Sequence, residues 1–257
     1  MNHLDGRTLA GISRRTVLRT GSAVAAGALA MPWVRRVSAA DQPTVVNSIR
    51  SLTNPYHATW NKGGEAFAKS IGAPYVTLVT EGNSEKCVAD IKAMLAKTGG
   101  NMALNVDPND SPDARPIVEA CQKAGAYVVT QWNKPADLHP WDHDPNYVAH
   151  ISFNGIPNGK AMAEALFKAM GGKGGIVALG GILSNVPAIE RKKGLDQALK
   201  EHPDIELLDF QVANWVQTEA LDKTNAWLTQ FGDKIKGIWA ANDDMALGAI
   251  EALRADG

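Results

Sequence analysis

The chain has 257 residues and a formal net charge of −1, with 26 Lys and Arg against 27 Asp and Glu. This balance does not favour a surface that binds nucleic acid or another polyanion, so we expect no nucleic-acid partner. Hydrophobic residues make up 45% of the chain, which is ordinary for a globular protein and excludes a disordered one.

The first forty residues have the features of an export signal in the right order. Residues 13–19 read SRRTVLR, an apolar stretch rich in small residues spans 21–34, and residues 38–40 (SAA) suit a signal peptidase. We predict a twin-arginine signal peptide over residues 1–40, cleaved before Asp41. The alternative is a chance arginine pair ahead of an amphipathic helix. The stretch is too short for a membrane span, so we expect a soluble mature protein in the periplasm.

Strand and helix patterns alternate from residue 44 to residue 130. Trp60, Phe67 and Ile71 fall on one face of the first predicted helix, so we expect them to pack in the core. The alternation predicts an α/β fold with a parallel sheet covered by helices on both faces. The predicted strands are 44–49, 75–79, 102–106 and 126–130, and the predicted helices are 56–71, 84–97 and 112–124.

A proline-rich segment, residues 131–146, interrupts the alternation and is predicted to be a long loop. Residues 147–152 are predicted to be extended, and a second array of strands and helices follows them. Two arrays predict two similar lobes, residues 41–152 and 153–257, with a ligand held between them at the carboxyl ends of the strands. Because the second array has three strands and the first has four, we expect the second lobe to be incomplete. The second array has predicted helices at 157–170, 187–201, 218–231 and 244–254 and predicted strands at 175–180, 206–211 and 235–240.

Four further side chains are expected to be buried. Trp227 and Trp239 lie within a predicted helix and a predicted strand. The two cysteines, Cys87 and Cys121, fall on apolar faces of successive helices that run parallel, several turns apart along the axis. A disulfide needs α-carbons within about 7 Å, so we predict two free thiols.

Sequence features of catalysis are weak in this chain. Residues 139–144 include histidine and aspartate but have no helical spacing, and we expect no metal there. The glycine-rich residues 171–175 precede a strand, whereas a phosphate loop leads into a helix. No Gly-x-Ser-x-Gly motif and no paired carboxylates for sugar hydrolysis are found. We therefore expect neither a cofactor nor an enzymatic activity.

Polar and aromatic residues recur directly after the predicted strands. In their order, and behind an export signal, these motifs resemble those of the type I periplasmic sugar-binding proteins, the ribose- and galactose-binding group that serves ABC importers. The resemblance runs from about Val45 to the end of the chain. The motifs are Asn54-Pro55-Tyr56, Asp107-Pro108-Asn109-Asp110, Glu190-Arg191-Lys192-Lys193-Gly194-Leu195, Trp215, and Asn242-Asp243-Asp244-Met245-Ala246-Leu247-Gly248-Ala249.

The resemblance implies two flavodoxin-like, doubly wound parallel-sheet lobes joined by a three-stranded hinge. The family's chain crosses between the lobes three times, and this sequence has only the first crossing, near residues 152–155. By this comparison the end of the second lobe and a Gly-x-Asp-Gly motif are missing. We therefore expect the sequence to be part of a longer reading frame.

The resemblance also implies a ligand site. A sugar has apolar C–H faces that aromatic rings stack on, and a rim of hydroxyls that charged and amide groups bind. Tyr56 and Trp215 come from different lobes and are expected to form the two halves of a sandwich. Where the ribose-binding pattern has an Asp-Arg pair, this chain has Trp132 and Asn133, which favour another pyranose, a deoxy sugar or a polyol. The remaining expected contacts are Asn54, Asp107, Arg191 and Asn242.

Local structural roles compete with several of these assignments. Tyr56 could instead cap a core edge, and Asp107 could serve as a turn residue. Arg191 could pair with Glu190 or Asp196 on the surface. The sequence leaves these alternatives open.

The resemblance implies a solute-binding protein that captures a small neutral sugar or polyol and delivers it to an ABC transporter permease. A same-fold sensor that presents its ligand to a membrane sensor kinase or chemoreceptor is the alternative. An exported carbohydrate enzyme would need a nucleophile and base. A sugar-responsive transcription regulator would need a helix-turn-helix at the amino end, where the export signal stands. We expect a monomer.

Overall fold

The computed structural model describes residues 42–257, so the predicted signal peptide and its cleavage site lie outside the described residues. The described part alternates strands and α-helices, except that residues 132–146 join two successive strands through a loop with a short 3-10 helix (Pro140–His143). Its strands are β1 (Thr44–Ile49), β2 (Tyr75–Val79), β3 (Met102–Val106), β4 (Tyr127–Gln131), β5 (Tyr147–Ile151), β6 (Gly174–Gly180), β7 (Ile205–Val212) and β8 (Ile235–Ala240). Its α-helices are α1 (Pro55–Ile71), α2 (Ser84–Thr98), α3 (Ala114–Ala124), α4 (Gly155–Ala169), α5 (Val186–Glu201), α6 (Gln217–Phe231) and α7 (Asp243–Asp256).

The strands form two parallel sheets, one in each lobe. The first has the order β2-β1-β3-β4-β5 and the second the order β7-β6-β8, and neighbouring strands in both sheets run parallel. The first order is the flavodoxin-like one, in which a ligand site is expected where β1 and β3 diverge to opposite sides. The predicted α/β fold with two parallel-sheet lobes is confirmed. The extended segment after the proline-rich loop joins the first sheet as β5, its fifth strand.

Four of the seven α-helices in the described part of the chain begin at an asparagine whose side chain caps the helix. Asn54, Asn83, Asn154 and Asn242 each accept a hydrogen bond from a backbone N–H of the first helical turn. Such caps satisfy donors that the helix itself leaves free. Two of these caps, Asn54 and Asn242, are also predicted site residues.

Each sheet has its own hydrophobic core. Cys87 and Cys121 are free thiols buried in the first core, as predicted, and burial raises their pKa values to about 11 and about 12. Trp227 and Trp239 are buried in the second core, also as predicted. Each lobe is therefore stabilised by its own packing, and the cleft residues are attached to the ends of rigid strands.

Two predictions at the element level are wrong. Residues 111–113 form a short 3-10 helix, and the α-helix begins only at Ala114, later than predicted. Phe67 and Ile71 are exposed and Trp60 is only half-buried, because α1 buries His57 and Ala68 instead. Gly64 lies on this same face and contacts Asn47 so closely that a side chain would not fit. The apolar stripe of α1 therefore points away from the sheet.

In the described part of the chain, no helix is long and apolar enough to cross a membrane.

Candidate ligand-binding cleft

The predicted site residues lie at the carboxyl ends of strands in both lobes. Asn54 and Tyr56 follow β1, Asp107 follows β3, and Trp132 and Asn133 follow β4. Arg191 lies in α5 after β6, Trp215 follows β7 and Asn242 follows β8. The parallel topology places the first five on one edge and the last three on the edge that faces it.

Asp107 is the buried centre of the first-lobe side. One carboxylate oxygen lies 3.1 Å from His57 Nε2, and the other accepts a hydrogen bond of 3.2 Å from Asn133 Nδ2. The Arg50 guanidinium is 3.9 Å from the same carboxylate. A buried carboxylate with these partners is held in one orientation. The turn alternative explains little of this arrangement, since Asp107 joins three separate elements.

The asparagines at the cleft have local partners. Asn54 Oδ1 accepts from the backbone N–H of His57 at 3.2 Å, and its Nδ2 donates to the carboxylate of Asp244 in the other lobe. Asn242 Oδ1 accepts from the backbone N–H of Met245 at 3.0 Å. Both residues therefore have structural roles as helix caps, and Asn54 also joins the two lobes.

Aromatic rings line one side of the cleft. Trp132 Nε1 donates a hydrogen bond of 2.8 Å to the Tyr56 hydroxyl, and the two rings meet edge to face with centroids 5.8 Å apart. Phe153 packs against Trp132 with centroids 5.2 Å apart. Burial raises the pKa of Tyr56, while the Trp132 hydrogen bond opposes the shift. Tyr56 itself is 45% exposed, so its ring remains available for contact.

Arg191 lies among three aromatic rings. Its Cζ atom is 6.0 Å from the Trp132 ring centroid, 5.2 Å from that of Phe153 and 5.6 Å from that of Trp215. Its guanidinium donates to the carbonyl of Ala241 at 2.7 Å. Burial lowers its pKa, Asp243 opposes this shift, and a guanidinium still stays charged at neutral pH. Arg191 is therefore a cleft residue, and no ion pair with Glu190 or Asp196 is found for it among the described contacts.

Trp215 is fixed from two sides. Its Nε1 donates to Asn185 Oδ1 at 2.9 Å, and its ring lies so close to Gly181 that any side chain there would overlap it. Both Trp132 and Trp215 have positive φ angles, of 60° and 68°. Such angles are uncommon for residues other than glycine and are maintained by the surrounding structure.

The two lobes contact each other at two places in the cleft. Ser111 Oγ donates to the Ser184 carbonyl at 2.8 Å, and Asn185 Nδ2 donates to the Asn109 carbonyl at 2.8 Å. The contact between Asn54 and Asp244 joins the lobes at a second place. The structure therefore has the lobes in contact across the cleft.

Several cleft residues were not predicted from the sequence. Arg50, His57, Phe153, Asn185 and Asp244 all contact predicted site residues. The signal for His57 was its place directly after Tyr56, on the face of α1 turned toward the sheet. Arg50, Phe153 and Asn185 have no comparable signal, because their contacts depend on how the lobes meet.

Buried polar atoms without a partner cluster near Asp107. Arg50 Nε, His57 Nδ1, Asn109 Nδ2 and Asn133 Oδ1 have no hydrogen-bond partner among the described residues. Leaving a buried polar group unpaired costs about 1–3 kcal/mol. These groups belong to the same edge of the first sheet, where polar groups of a ligand or water would satisfy them.

Residues 45–257 match the family model described as "Periplasmic binding protein domain". The chain is 28% identical to the ribose import binding protein of Haemophilus influenzae over 85% of this chain and 71% of that protein. It is 39% identical to the xylitol-binding protein of Mycolicibacterium smegmatis, but over 44% of this chain and only 32% of that protein.

Two solved structures add to these matches. The twin-arginine translocation pathway signal protein of Burkholderia phytofirmans is 68% identical, with a TM-score of 0.83 over 84% of this chain and 67% of that one. An ABC transporter periplasmic solute binding protein of Actinobacillus succinogenes with bound D-allose is 30% identical, with a TM-score of 0.72 over 84% of this chain and 74% of that one. The matches confirm the predicted resemblance, the periplasmic location and the prediction that the protein is not an enzyme.

Proposed function

The chain belongs to the periplasmic binding protein family, and we propose that it is an extracytoplasmic solute-binding protein for a small neutral sugar or polyol. In this proposal the ligand is captured between the lobes and delivered to the permease of an ABC transporter. Residues 41–152 and 153–257 are proposed as the two lobes, with residues 1–40 as the signal peptide. The observation that carries the proposal is the aromatic and arginine cluster between the lobes, formed by Trp132, Arg191 and Trp215.

The cleft supplies both kinds of contact that a sugar needs. The rings of Tyr56 and Trp215 offer flat apolar surfaces, and aromatic stacking is a favourable partner for C–H faces. Arg191, Asn133 and Asn109 supply charged and amide groups next to these surfaces. Because the cleft has both donors and acceptors that lack partners, a ligand rich in hydroxyls suits it better than an apolar one.

The charges in the cleft favour a neutral ligand. Arg50 is paired with the Asp107 carboxylate, and Arg191 is opposed by the nearby Asp243. Asp110 and Asp244 also accept hydrogen bonds from Asn185 and Asn54, so a charged ligand would have to compete with these existing contacts. The relatives described above agree with this class, since two are named for ribose and xylitol and a third was solved with bound D-allose.

A thermal-shift screen of the mature protein tests the proposal. The panel contains D-ribose, D-allose, xylitol, myo-inositol and further hexoses and deoxy sugars. A ligand specific for the folded state stabilises it by about 2.7 kcal/mol at a hundredfold excess over its dissociation constant. A clear shift with one compound or a few related ones is expected. A flat response to the whole panel, followed by a shift with a charged or apolar compound, would contradict the proposal.

A further inference from the structure

Asn185 is a buried residue just before α5 whose side chain has partners on both sides of the cleft. Its Oδ1 accepts from Trp215 Nε1 at 2.9 Å, within the second lobe. Its Nδ2 donates to the Asn109 carbonyl at 2.8 Å, in the first lobe. The residue is only 1% exposed, so water does not replace these partners while the lobes are in contact.

Two charged groups of the first lobe complete the environment of this amide. Arg50 NH2 lies 3.5 Å from Asn185 Oδ1, and Asp110 Oδ1 lies 3.4 Å from Asn185 Nδ2. The cation faces the oxygen of the amide and the anion faces its nitrogen, so both charges favour the orientation in which Oδ1 accepts from Trp215. Linked hydrogen bonds of this kind strengthen one another.

Separation of the lobes would affect these contacts unequally. The bond to Trp215 lies within the second lobe, but it requires the amide oxygen of Asn185 to face the indole N–H. The contacts with Arg50, Asn109 and Asp110 would be lost, and with them the charges that fix the direction of the amide. The orientation of the Trp215 indole therefore depends on whether the lobes are closed.

We propose that Asn185 is a positioning residue that couples closure of the lobes to the orientation of Trp215, an inference that rests on the proposed ligand site. Asn185 holds the ring from its N–H edge while Gly181 leaves room for its face. Closure orients the amide, the amide orients the ring, and the ring retains the ligand. The residue acts mainly on how long the ligand stays bound.

Two substitutions separate the parts of this coupling. Asn185→Ala removes the contacts with both lobes. Asn185→Asp keeps an oxygen for the Trp215 N–H but places a carboxylate against the Asn109 carbonyl and the Asp110 carboxylate. Asn225→Ala, at an exposed position of α6, is the matched control.

The first measurement is stopped-flow dissociation of whichever panel compound gives the largest thermal shift, from the mature protein. We expect both Asn185 variants to release it about tenfold faster with little change in association rate, because one or two hydrogen bonds of the closed state are lost. The Asn225→Ala protein should match the unsubstituted one. Unchanged dissociation from Asn185→Ala would overturn the proposal.

The second measurement needs no ligand. In protein labelled with 5-fluorotryptophan, the ¹⁹F resonance of Trp215 is assigned by its loss in Trp215→Phe. We expect that resonance to move in Asn185→Ala, which loses the contact with Trp215, and also in Asn185→Asp, which keeps an oxygen for the Trp215 N–H but loses the first-lobe contacts that orient it. An unmoved resonance in Asn185→Ala overturns the proposal even if no panel compound binds. If no panel compound binds but the Trp215 resonance moves in Asn185→Ala, the result contradicts the proposed function and supports the positioning role of Asn185.

Discussion

At the scale of single residues, the cleft depends on a few side chains held by several partners each. Asp107 is bound by His57 and Asn133, and Arg191 is surrounded by three rings. A residue held this way loses little entropy when a ligand arrives, which favours tight binding. Substitutions here are therefore expected to affect affinity far more than stability.

We predict that Trp215→Ala and Arg191→Ala each weaken ligand binding by about a hundredfold or more, as is usual for truncation of central aromatic and arginine contacts. Isothermal titration with the panel compound that binds the unsubstituted protein measures the loss. Trp141→Ala is the matched control, since Trp141 is 73% exposed and stacks on His139 in the proline-rich loop. Normal affinity in the Trp215 and Arg191 variants would place the cleft elsewhere.

We predict that Gly181→Ala weakens binding by about tenfold or more without unfolding the protein. A methyl group at this position overlaps the Trp215 ring, which must tilt away from the place where Asn185 holds it. A methyl group at Gly63, in the exposed part of α1, meets nothing within 4 Å. Gly63→Ala should therefore leave affinity unchanged and, as in other helices, stabilise the fold by about 0.5–1 kcal/mol. Titration calorimetry measures the affinity of both variants, and thermal melts measure their stability. Equal affinities of the Gly181→Ala and Gly63→Ala proteins would refute the prediction.

At the scale of elements, helix caps serve both folding and the cleft. Asn54 and Asn83 are both N-caps, but only Asn54 also reaches the other lobe, through Asp244. We predict that Asn83→Ala lowers the free energy of unfolding by about 1 kcal/mol and leaves affinity intact. Asn54→Ala should show a similar loss of stability together with weaker binding. Urea unfolding and ligand titration measure the two effects, and an Asn83 variant with impaired binding would contradict the distinction.

The edge strand β5 carries a pH-dependent contribution to stability. Burial, together with the charge of Lys134, lowers the pKa of His150 from 6.5 to about 4, and a contact with Thr130 opposes the shift. The folded protein thus keeps His150 neutral while the unfolded chain takes up a proton first. This contribution is complete above pH 6.5 and is lost as the pH falls from 6.5 toward 4.

We therefore predict that the melting temperature falls over this pH interval less steeply in His150→Asn than in the unsubstituted protein. Asparagine offers an amide to the Thr130 hydroxyl but has no proton to gain. Thermal melts between pH 4 and pH 8 give the comparison. Parallel curves for the two proteins would show that His150 is not the group responsible.

The order of the strands and helices could be predicted from the sequence because the spacing of apolar residues differs between a strand and a helix. Even β5 was recognised as extended, although its pairing with β4 was not. The prediction that Trp60, Phe67 and Ile71 pack in the core was wrong. The spacing of apolar residues shows which residues share a helix face, but it does not show which face of the helix packs on the sheet. Here the small Gly64 and Ala68 allow the close approach instead.

The sequence could predict those site residues that come directly after a single strand. Asn54, Asp107, Trp132 and Trp215 all come directly after a strand end, where parallel topology gathers residues. The contacts of Asn185 and Phe153 could not be predicted from the sequence, because they depend on the angle at which the two lobes meet. No local pattern in the chain records that angle.

At the scale of the whole molecule, the lobes are joined across the cleft by polar contacts and not by a shared core. The two hydrophobic cores are separate, and Ser111–Ser184 and Asn109–Asn185 are hydrogen bonds at the cleft edge. Interfaces of this polar kind open readily. A ligand that contacts both lobes would therefore favour the closed arrangement.

We predict that a saturating amount of the bound panel compound lowers the radius of gyration of the mature protein. The ligand favours the closed state because only that state offers it contacts from both lobes. Small-angle X-ray scattering with and without the compound measures the change. The Trp215→Ala protein, under the same conditions, should show no compaction, and identical curves for the unsubstituted protein would argue against hinge closure.

The positive φ angles of Trp132 and Trp215 constrain how this cleft can evolve. A left-handed backbone tolerates few side chains, and branching at the β-carbon makes it costlier still. Changes to valine, isoleucine or threonine at these two positions are therefore expected to reduce stability before they alter ligand preference. The ligand preference of this cleft can therefore change with a smaller loss of stability at a neighbouring position such as Phe153, which has no positive φ angle, than at the two tryptophans.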